Sequence, residues 1–321
     1  MKTIKSLLLL LLLLTVVACG AQPEATPTQA PDAPAPTEAP AEATDVPATT
    51  EAATAETPAT DVPSATPTPA GETAAEPGFC DHVDPSLIEL NTGGLAYEWQ
   101  ADCVPAAEFT SDSPLIGALP EHIQINFNGR NPTTREAGEP VLYIIPADAY
   151  QALWDAAGDP TVGERLTAIR DWVGRQPVAV SPQNMPVLPT EQANGSNDLS
   201  VQGAYLDFGN WDGIRFAGRF VFDVQPVTNA GLRYIFQGFA GENDEYFVAF
   251  FYPVSTTLLP ATVADVSPEV TSAFEADPAG ALNLRAVELN TLTAGDWQPA
   301  LDVLDEVIGS LQYGGVETGE E

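Results

Sequence analysis

Three arginines stand close together in the most apolar part of the chain. Arg215 and Arg219 lie in Gly213-Ile214-Arg215-Phe216-Ala217-Gly218-Arg219, and Arg233 follows in Leu232-Arg233-Tyr234-Ile235-Phe236. A guanidinium is a planar fork of five N–H donors that matches the oxygens of a carboxylate or phosphate. Positive charge gathered there, in so acidic a chain, makes these residues candidate binders of a small anion. Trp211, Tyr205 and Phe208 are available as aromatic walls. The plainer use of the same arginines is cross-strand ion pairing, with Asp207, Asp223 or Glu245 as the nearby carboxylates. A second group with chemical potential is Cys80 and Cys103 beside His82. Two thiols and one or two imidazoles lack the ligand spacing of a zinc site. In an exported chain, an even pair of cysteines reads instead as a disulfide.

Other chemistries have less to stand on. The sequence contains no Gly-x-Ser-x-Gly elbow, phosphate loop or dinucleotide fingerprint. Its two histidines, His82 and His122, are its available imidazole bases, and each reads as a surface or edge residue. Asp207-Phe208-Gly209-Asn210-Trp211-Asp212-Gly213 offers oxygen ligands for calcium, as do Asn197-Asp198 and Asn243-Asp244-Glu245, but none has the register of a calcium loop. Asn, Asp and Gly are equally what tight turns require. Paired carboxylates are unavoidable among so many acids and therefore carry no weight. No catalytic residue, metal or cofactor is expected.

Composition narrows the partners. Eleven Lys and Arg face 45 Asp and Glu, for a formal net charge of −34. Both lysines, Lys2 and Lys5, lie in the first five residues. Such a field repels nucleic acid and anionic headgroups, which excludes nucleic-acid binding as a function class.

The N-terminus has its own logic. Lys2 and Lys5 precede the apolar run Leu7 to Val17, which is too short for a comfortable membrane span and fits a signal segment over 1–18. It ends in Val16-Val17-Ala18-Cys19, which resembles the bacterial lipobox. The resemblance implies cleavage after Ala18 and a lipidated Cys19, hence a membrane-anchored lipoprotein facing outside the cytoplasm. Beyond Cys19, residues 20–78 are almost wholly Ala, Thr, Pro, Glu and Asp with no aromatic side chain. Nothing there can offset the entropy of ordering, so 19–78 reads as a disordered linker. At about 3.1 Å per residue it would reach about 180 Å in a polyproline-like state.

Residues 79–315 are expected to form one globular domain, with a disordered tail over 316–321. Its centre is Gly203 to Pro253, where Ile214, Phe216, Phe220 and Phe222 alternate with Arg215, Ala217, Arg219 and Val221. That period of two predicts neighbouring strands with one buried face. Gly241-Glu242-Asn243-Asp244 predicts a hairpin between the last two runs. His122 to Phe127 and Val141 to Ile145 read as earlier strands. Helices are predicted from Asp148 to Gly158 and from Asp159-Pro160 to Gly174. Then comes a long polar loop over 176–202, and a short helix from Ser267-Pro268 ending before Pro278. Leu282 to Leu289 reads as a further strand. A final helix is expected to open at Thr293-Ala294-Gly295-Asp296, with Trp297, Leu301, Leu304, Ile308 and Leu311 as its apolar stripe. The sum is α+β, with helices packed on an antiparallel sheet.

Several strings resemble a group of uncharacterised bacterial lipoproteins: Ile145-Pro146 with Tyr150 following, Leu188-Pro189, Ala204-Tyr205-Leu206-Asp207-Phe208, Gly213-Ile214-Arg215-Phe216, Tyr234-Ile235-Phe236-Gln237-Gly238 and Leu259-Pro260. That resemblance covers most of 115–260 and implies location and fold, with no activity attached. The order strand, helix, sheet, helix, with Ile308-Gly309-Ser310-Leu311 at its close, is more loosely similar to PsbP-like domains. The function expected from all this is a lipid-anchored envelope protein displaying a non-enzymatic interaction domain to an envelope or extracellular protein. The alternatives are a module for a small anion or calcium and, further off, an exported hydrolase.

Overall fold

A computed structural model describes residues 78–107, 117–178, 185–241 and 243–313. The signal segment, Cys19, the linker as far as residue 77 and the tail over 316–321 lie outside the described residues.

In chain order the strands are β1 (Ile88–Glu89), β2 (Trp99–Val104), β3 (His122–Phe127), β4 (Val141–Pro146), β5 (Ser196–Asp207), β6 (Trp211–Val221), β7 (Arg233–Ala240), β8 (Tyr246–Pro253), β9 (Ser255–Thr256), β10 (Trp297–Gln298) and β11 (Gln312–Tyr313). The helices are α1 (Ala147–Ala156), α2 (Thr161–Arg175), α3 (Pro268–Ala276), α4 (Pro278–Asn290) and α5 (Leu301–Gly309). Seven strands make one antiparallel sheet in the order β2-β3-β4-β8-β7-β6-β5. Its middle is held by apolar cross-strand pairs such as Ile235 with Phe251 and Phe236 with Phe250. Branched and aromatic side chains pack well on a pleated surface, which is why these runs choose strand. Where Gly213 faces Gly238, a Cβ on Gly238 would lie 2.1 Å from the Asp212 carbonyl oxygen, so neither strand could approach as it does with a larger residue.

The expectation of one buried face is corrected by the packing. Residues of β6, β7 and β8 are buried on both sides, because helices cover both. One face packs Ile214, Phe216, Ile235 and Phe251 against Tyr150 and Trp154 of α1, Val162, Leu166, Ile169 and Val173 of α2, and Met185 to Leu188. The other packs Ala217, Tyr234, Phe236 and Phe250 against Leu301, Leu304, Val307 and Ile308 of α5, with Leu289 of α4. The result is three layers, helices on either side of a sheet.

Four further expectations change. The segment 282–289 is part of helix α4: Asp277 accepts a hydrogen bond from the Gly280 N–H at 2.9 Å and Pro278 takes the first helical position, so a helix start overrides the strand reading. Thr293 and Asp296 do form their reciprocal pair, but they cap only a 3-10 turn. Trp297 belongs to β10, and α5 starts at Leu301. The polar loop expected over 176–202 contains a buried stretch, Met185, Val187, Leu188 and Thr190, and then the start of β5. His122, expected at the surface, is 4% exposed under the Tyr143 ring. The remaining helices and the β7–β8 hairpin stand within a residue or two of their expected positions.

Candidate functional site

The three arginines of the central strands fall on different faces. Arg215 and Arg219 point toward the α5 side, whereas Arg233, one register away from Tyr234, faces the other side and donates to Gln192 Oε1. Arg215 and Arg219 pair with Asp305 and Asp198 rather than with the expected Asp207, Asp223 or Glu245. Arg219 is 1% exposed; its Nε and Nη2 donate to the two Asp198 oxygens at 2.9 and 2.6 Å. Nη1 also reaches the carbonyl of Pro226 at 2.9 Å, and Nη2 that of Gln225 at 2.7 Å. Four of the five N–H groups are thus taken up inside the protein.

Arg215 donates to Asp305 of α5, with the nearest contact at 3.3 Å, and to the Gln202 carbonyl. Tyr234 donates its hydroxyl to Asp305 Oδ1, the oxygen of that nearest contact, at 2.8 Å. Burial raises the Asp305 carboxyl above its usual range, against the pull of Arg215 and Tyr234. Burial also pushes the Tyr234 hydroxyl far up, helped by the Asp305 charge. Chemically this cluster fixes α5 to the sheet through a charge-assisted bond and a hydroxyl.

Both clusters end at the same surface. Gln202 sits in an irregularity of β5 with φ 59°, between the paired positions Val201 and Ala204. Its side-chain amide donates to the carbonyls of Leu289 at 2.7 Å and Leu292 at 2.8 Å, and its backbone N–H to Asn290 Oδ1 at 2.7 Å. Those are carbonyls at and just beyond the C-terminus of α4, where a helix has no intrahelical donors left. Gln202 and Arg219 therefore hold, respectively, the end of α4 and the 225–226 strand exit.

Between these supports runs a groove of about 320 Å³, lined chiefly by Pro226, Val227, Val270, Phe274, Ala281 and Leu284. Only Leu289 of α4 is fully buried. Leu284 is 62% exposed and Val270 44%, so an apolar side chain from each helix faces solvent at its edge. Single exposed apolar residues need no explanation, but a contiguous set around a groove is a binding surface in form. Asp265 and Glu288 also line the groove; Glu269, Glu275 and Asp277 are exposed on α3 or at its end. The one arginine there, Arg285, pairs with Glu288 at 2.7 Å. Sequence reasoning missed this surface. Its signal was present as the Asp277-Pro278 helix start followed by Leu284 and Val287 three positions apart.

The remaining candidates are placed as follows. Cys80 and Cys103 are paired, with Cα atoms 6.0 Å apart. Glu121 stands beside them, accepting from the Cys80 N–H at 3.1 Å, and these three are the group among the described residues whose geometry could gather a metal. With both sulfurs bonded to each other, the thiolate ligands such a site needs are not available. Asp207 Oδ1 accepts from the Gly209 N–H at 2.9 Å, the turn use of that stretch. Burial raises the neighbouring Asp212 carboxyl, with the charges of Asp244 and Asp207 adding to it. Asp244 pairs with Arg170 at 3.3 Å, and Arg170 lies over the Phe239 ring at 4.6 Å. His82 is exposed and His122 buried, with its Nδ1 2.7 Å from the Pro120 carbonyl oxygen.

Comparison with known proteins finds no matching family model, no matching curated protein and no matching solved structure.

Proposed function

We propose that this chain is a lipid-anchored, extracytoplasmic protein whose domain serves a non-enzymatic interaction at the end of a long tether. The observation that carries the interaction half is the α3–α4 groove, apolar, open to solvent and braced from behind by Gln202 and Arg219. The anchoring half rests on the apolar run before Val16-Val17-Ala18-Cys19 and on the Pro-rich stretch that follows it. A membrane-held domain meets its partner at a raised effective concentration, so a modest groove suffices for function. Arg215 and Arg219 are occupied by Asp305 and Asp198, which favours this reading over an anion site on that face.

The test is expression of the full chain in a bacterium with labelled palmitate, followed by cross-linking in intact cells. Label on the wild type but not on Cys19→Ser, together with a discrete cross-linked product outside the cytoplasm, is the expected result. A wild-type chain that takes no label, or that yields no cross-linked partner, would overturn the corresponding half.

A further inference from the structure

We infer that the α3–α4 groove takes an amphipathic segment of another polypeptide, with apolar anchors flanked by Lys or Arg. The inference rests on the interaction-domain reading and names the chemistry of the partner. Three observations select this occupant. The groove floor is apolar, with Val227, Phe274 and Ala281 below and the exposed Val270 and Leu284 at the lip. Such a surface receives the apolar face of a helix or strand, side chain by side chain.

Its surroundings are acidic. From Val263 to Asn290 the chain has Asp265, Glu269, Glu275, Asp277 and Glu288 against Arg285, and Arg285 is already paired with Glu288. A partner with basic flanks gains from that field, and an acidic one is repelled. The same field argues against the two occupants nearest to hand. A second copy of the chain brings a formal charge of −34 to the contact, and residues 20–77 contain Asp and Glu but no Lys or Arg. A groove of about 320 Å³ also matches a few anchoring side chains rather than a large flat interface.

The surface is also stiff where it must be. Gln202 fixes the end of α4, and Arg219 fixes the carbonyls of Gln225 and Pro226 behind one wall. A preformed groove loses less ordering entropy on binding.

The experiment titrates the full-length chain with three helical peptides of about 18 residues, five turns each. One carries a Leu face flanked by Lys, one the same Leu face flanked by Glu, and one the Lys pattern with Gln in place of Leu. Each is tested against wild type and against the double variant Val270→Gln, Leu284→Gln. That variant leaves the net charge unchanged and keeps good helix formers on exposed positions, and thermal unfolding verifies that it is folded. The Leu/Lys peptide is expected to bind wild type, to weaken with added salt, and to bind the variant at least about tenfold more weakly. Equal affinity for wild type and variant would reduce the effect to unspecific attraction by an acidic protein and overturn the inference. So would equal binding of the Leu/Glu peptide. A wild-type dimer dissolved by the same substitutions would give the groove to a second copy. Variant-sensitive binding to phosphatidylcholine vesicles would give it to lipid. The two proposals can fail separately. If the cellular cross-link survives Val270→Gln, Leu284→Gln, the protein has a partner but the partner sits elsewhere. If the cross-link is absent from wild type, the interaction reading itself falls.

Discussion

Arg219 holds its charge almost wholly out of water, against Asp198 and two backbone carbonyls. Removing one member of a buried pair leaves the other charged group desolvated without compensation, at a typical cost of about 3–5 kcal/mol. Arg219→Ala and Asp198→Ala are therefore each expected to lower stability by that order, read as a lower urea midpoint. Arg219→Lys should not rescue, because an ammonium cannot span both carboxylate oxygens and both carbonyls. A lysine variant as stable as wild type would show that the site needs charge and not the fork. His122 supplies a second test at this scale. Burial holds its imidazole below the ordinary 6.5, opposed by its bonds to Pro120 and Gln124. The unfolded chain takes up a proton near 6.5 while the folded chain resists it. The stability tied to His122 is therefore complete above that value, falls as the pH drops below it, and levels off past the depressed folded value. Urea midpoints measured from about pH 7 to 5 should decline less steeply in His122→Gln than in wild type. Parallel slopes would mean the folded imidazole titrates as in water. At this scale the sequence showed which arginines sit on the central strands. It could not show their partners, because Asp305 lies 90 positions from Arg215 and Asp198 reaches Arg219 only through the β5–β6 register.

At the scale of elements, α4 has few buried side chains of its own and is held chiefly by what grips its ends. Asp277 satisfies its start, and the Gln202 amide takes the carbonyls of Leu289 and Leu292 at its finish. Each such bond contributes on the order of 1 kcal/mol net, more when a carbonyl would otherwise be left buried and unpaired. Gln202→Ala should accordingly cost about 1–3 kcal/mol. Amide exchange should quicken over 278–292 while α5 stays protected. Protection lost equally in α4 and α5 would show that Gln202 supports the fold as a whole and not this helix. The same helix explains where sequence reasoning stopped. Leu282, Leu284 and Ala286 alternate with Asn283, Arg285 and Val287, and alternation reads as strand when every apolar residue is assumed to seek the core. Here Leu284 and Val287 remain in solvent, so the pattern reflected a surface and not a sheet. Helices α1, α2 and α3 were legible because Pro, Gly and capping residues punctuate them. The strands β5 to β8 were legible from their aromatics, but the second buried face was not. A strand covered on both sides loses the polar half of its alternation, and the alternating Arg215 and Arg219 look solvent-facing until their buried carboxylates are seen.

Across the whole molecule, the two ends of the described domain meet. Ile88 of β1 pairs with Tyr313 of β11, Phe79 lies 5.8 Å from Tyr246, and Tyr246 lies 6.0 Å from Tyr313. Repulsion among its many carboxylates works against any compact state, and Arg130, Arg170, Arg175, Arg215, Arg219 and Arg285 are each engaged with a nearby acid. The entry of the chain into the sheet is consequently the place where a covalent link matters. Cys80 and Cys103 are separated by 23 positions and tie the first turn of the domain to the edge strand β2. In the chain-entropy account, closing such a loop in the unfolded state is worth about 3 kcal/mol. Replacing both residues, as Cys80→Ser with Cys103→Ser, should lower stability by about that amount. Because the pair ties down the first turn of the domain, the loss should be felt first over 78–98, as earlier thermolysin cleavage there than in β6 or β7. Treating wild type with a reductant should reproduce the double variant, and adding reductant to the variant should change nothing further. A midpoint unmoved by both treatments would mean that Phe79, Tyr246 and Tyr313 hold the entry unaided and that the cysteines contribute nothing to folding.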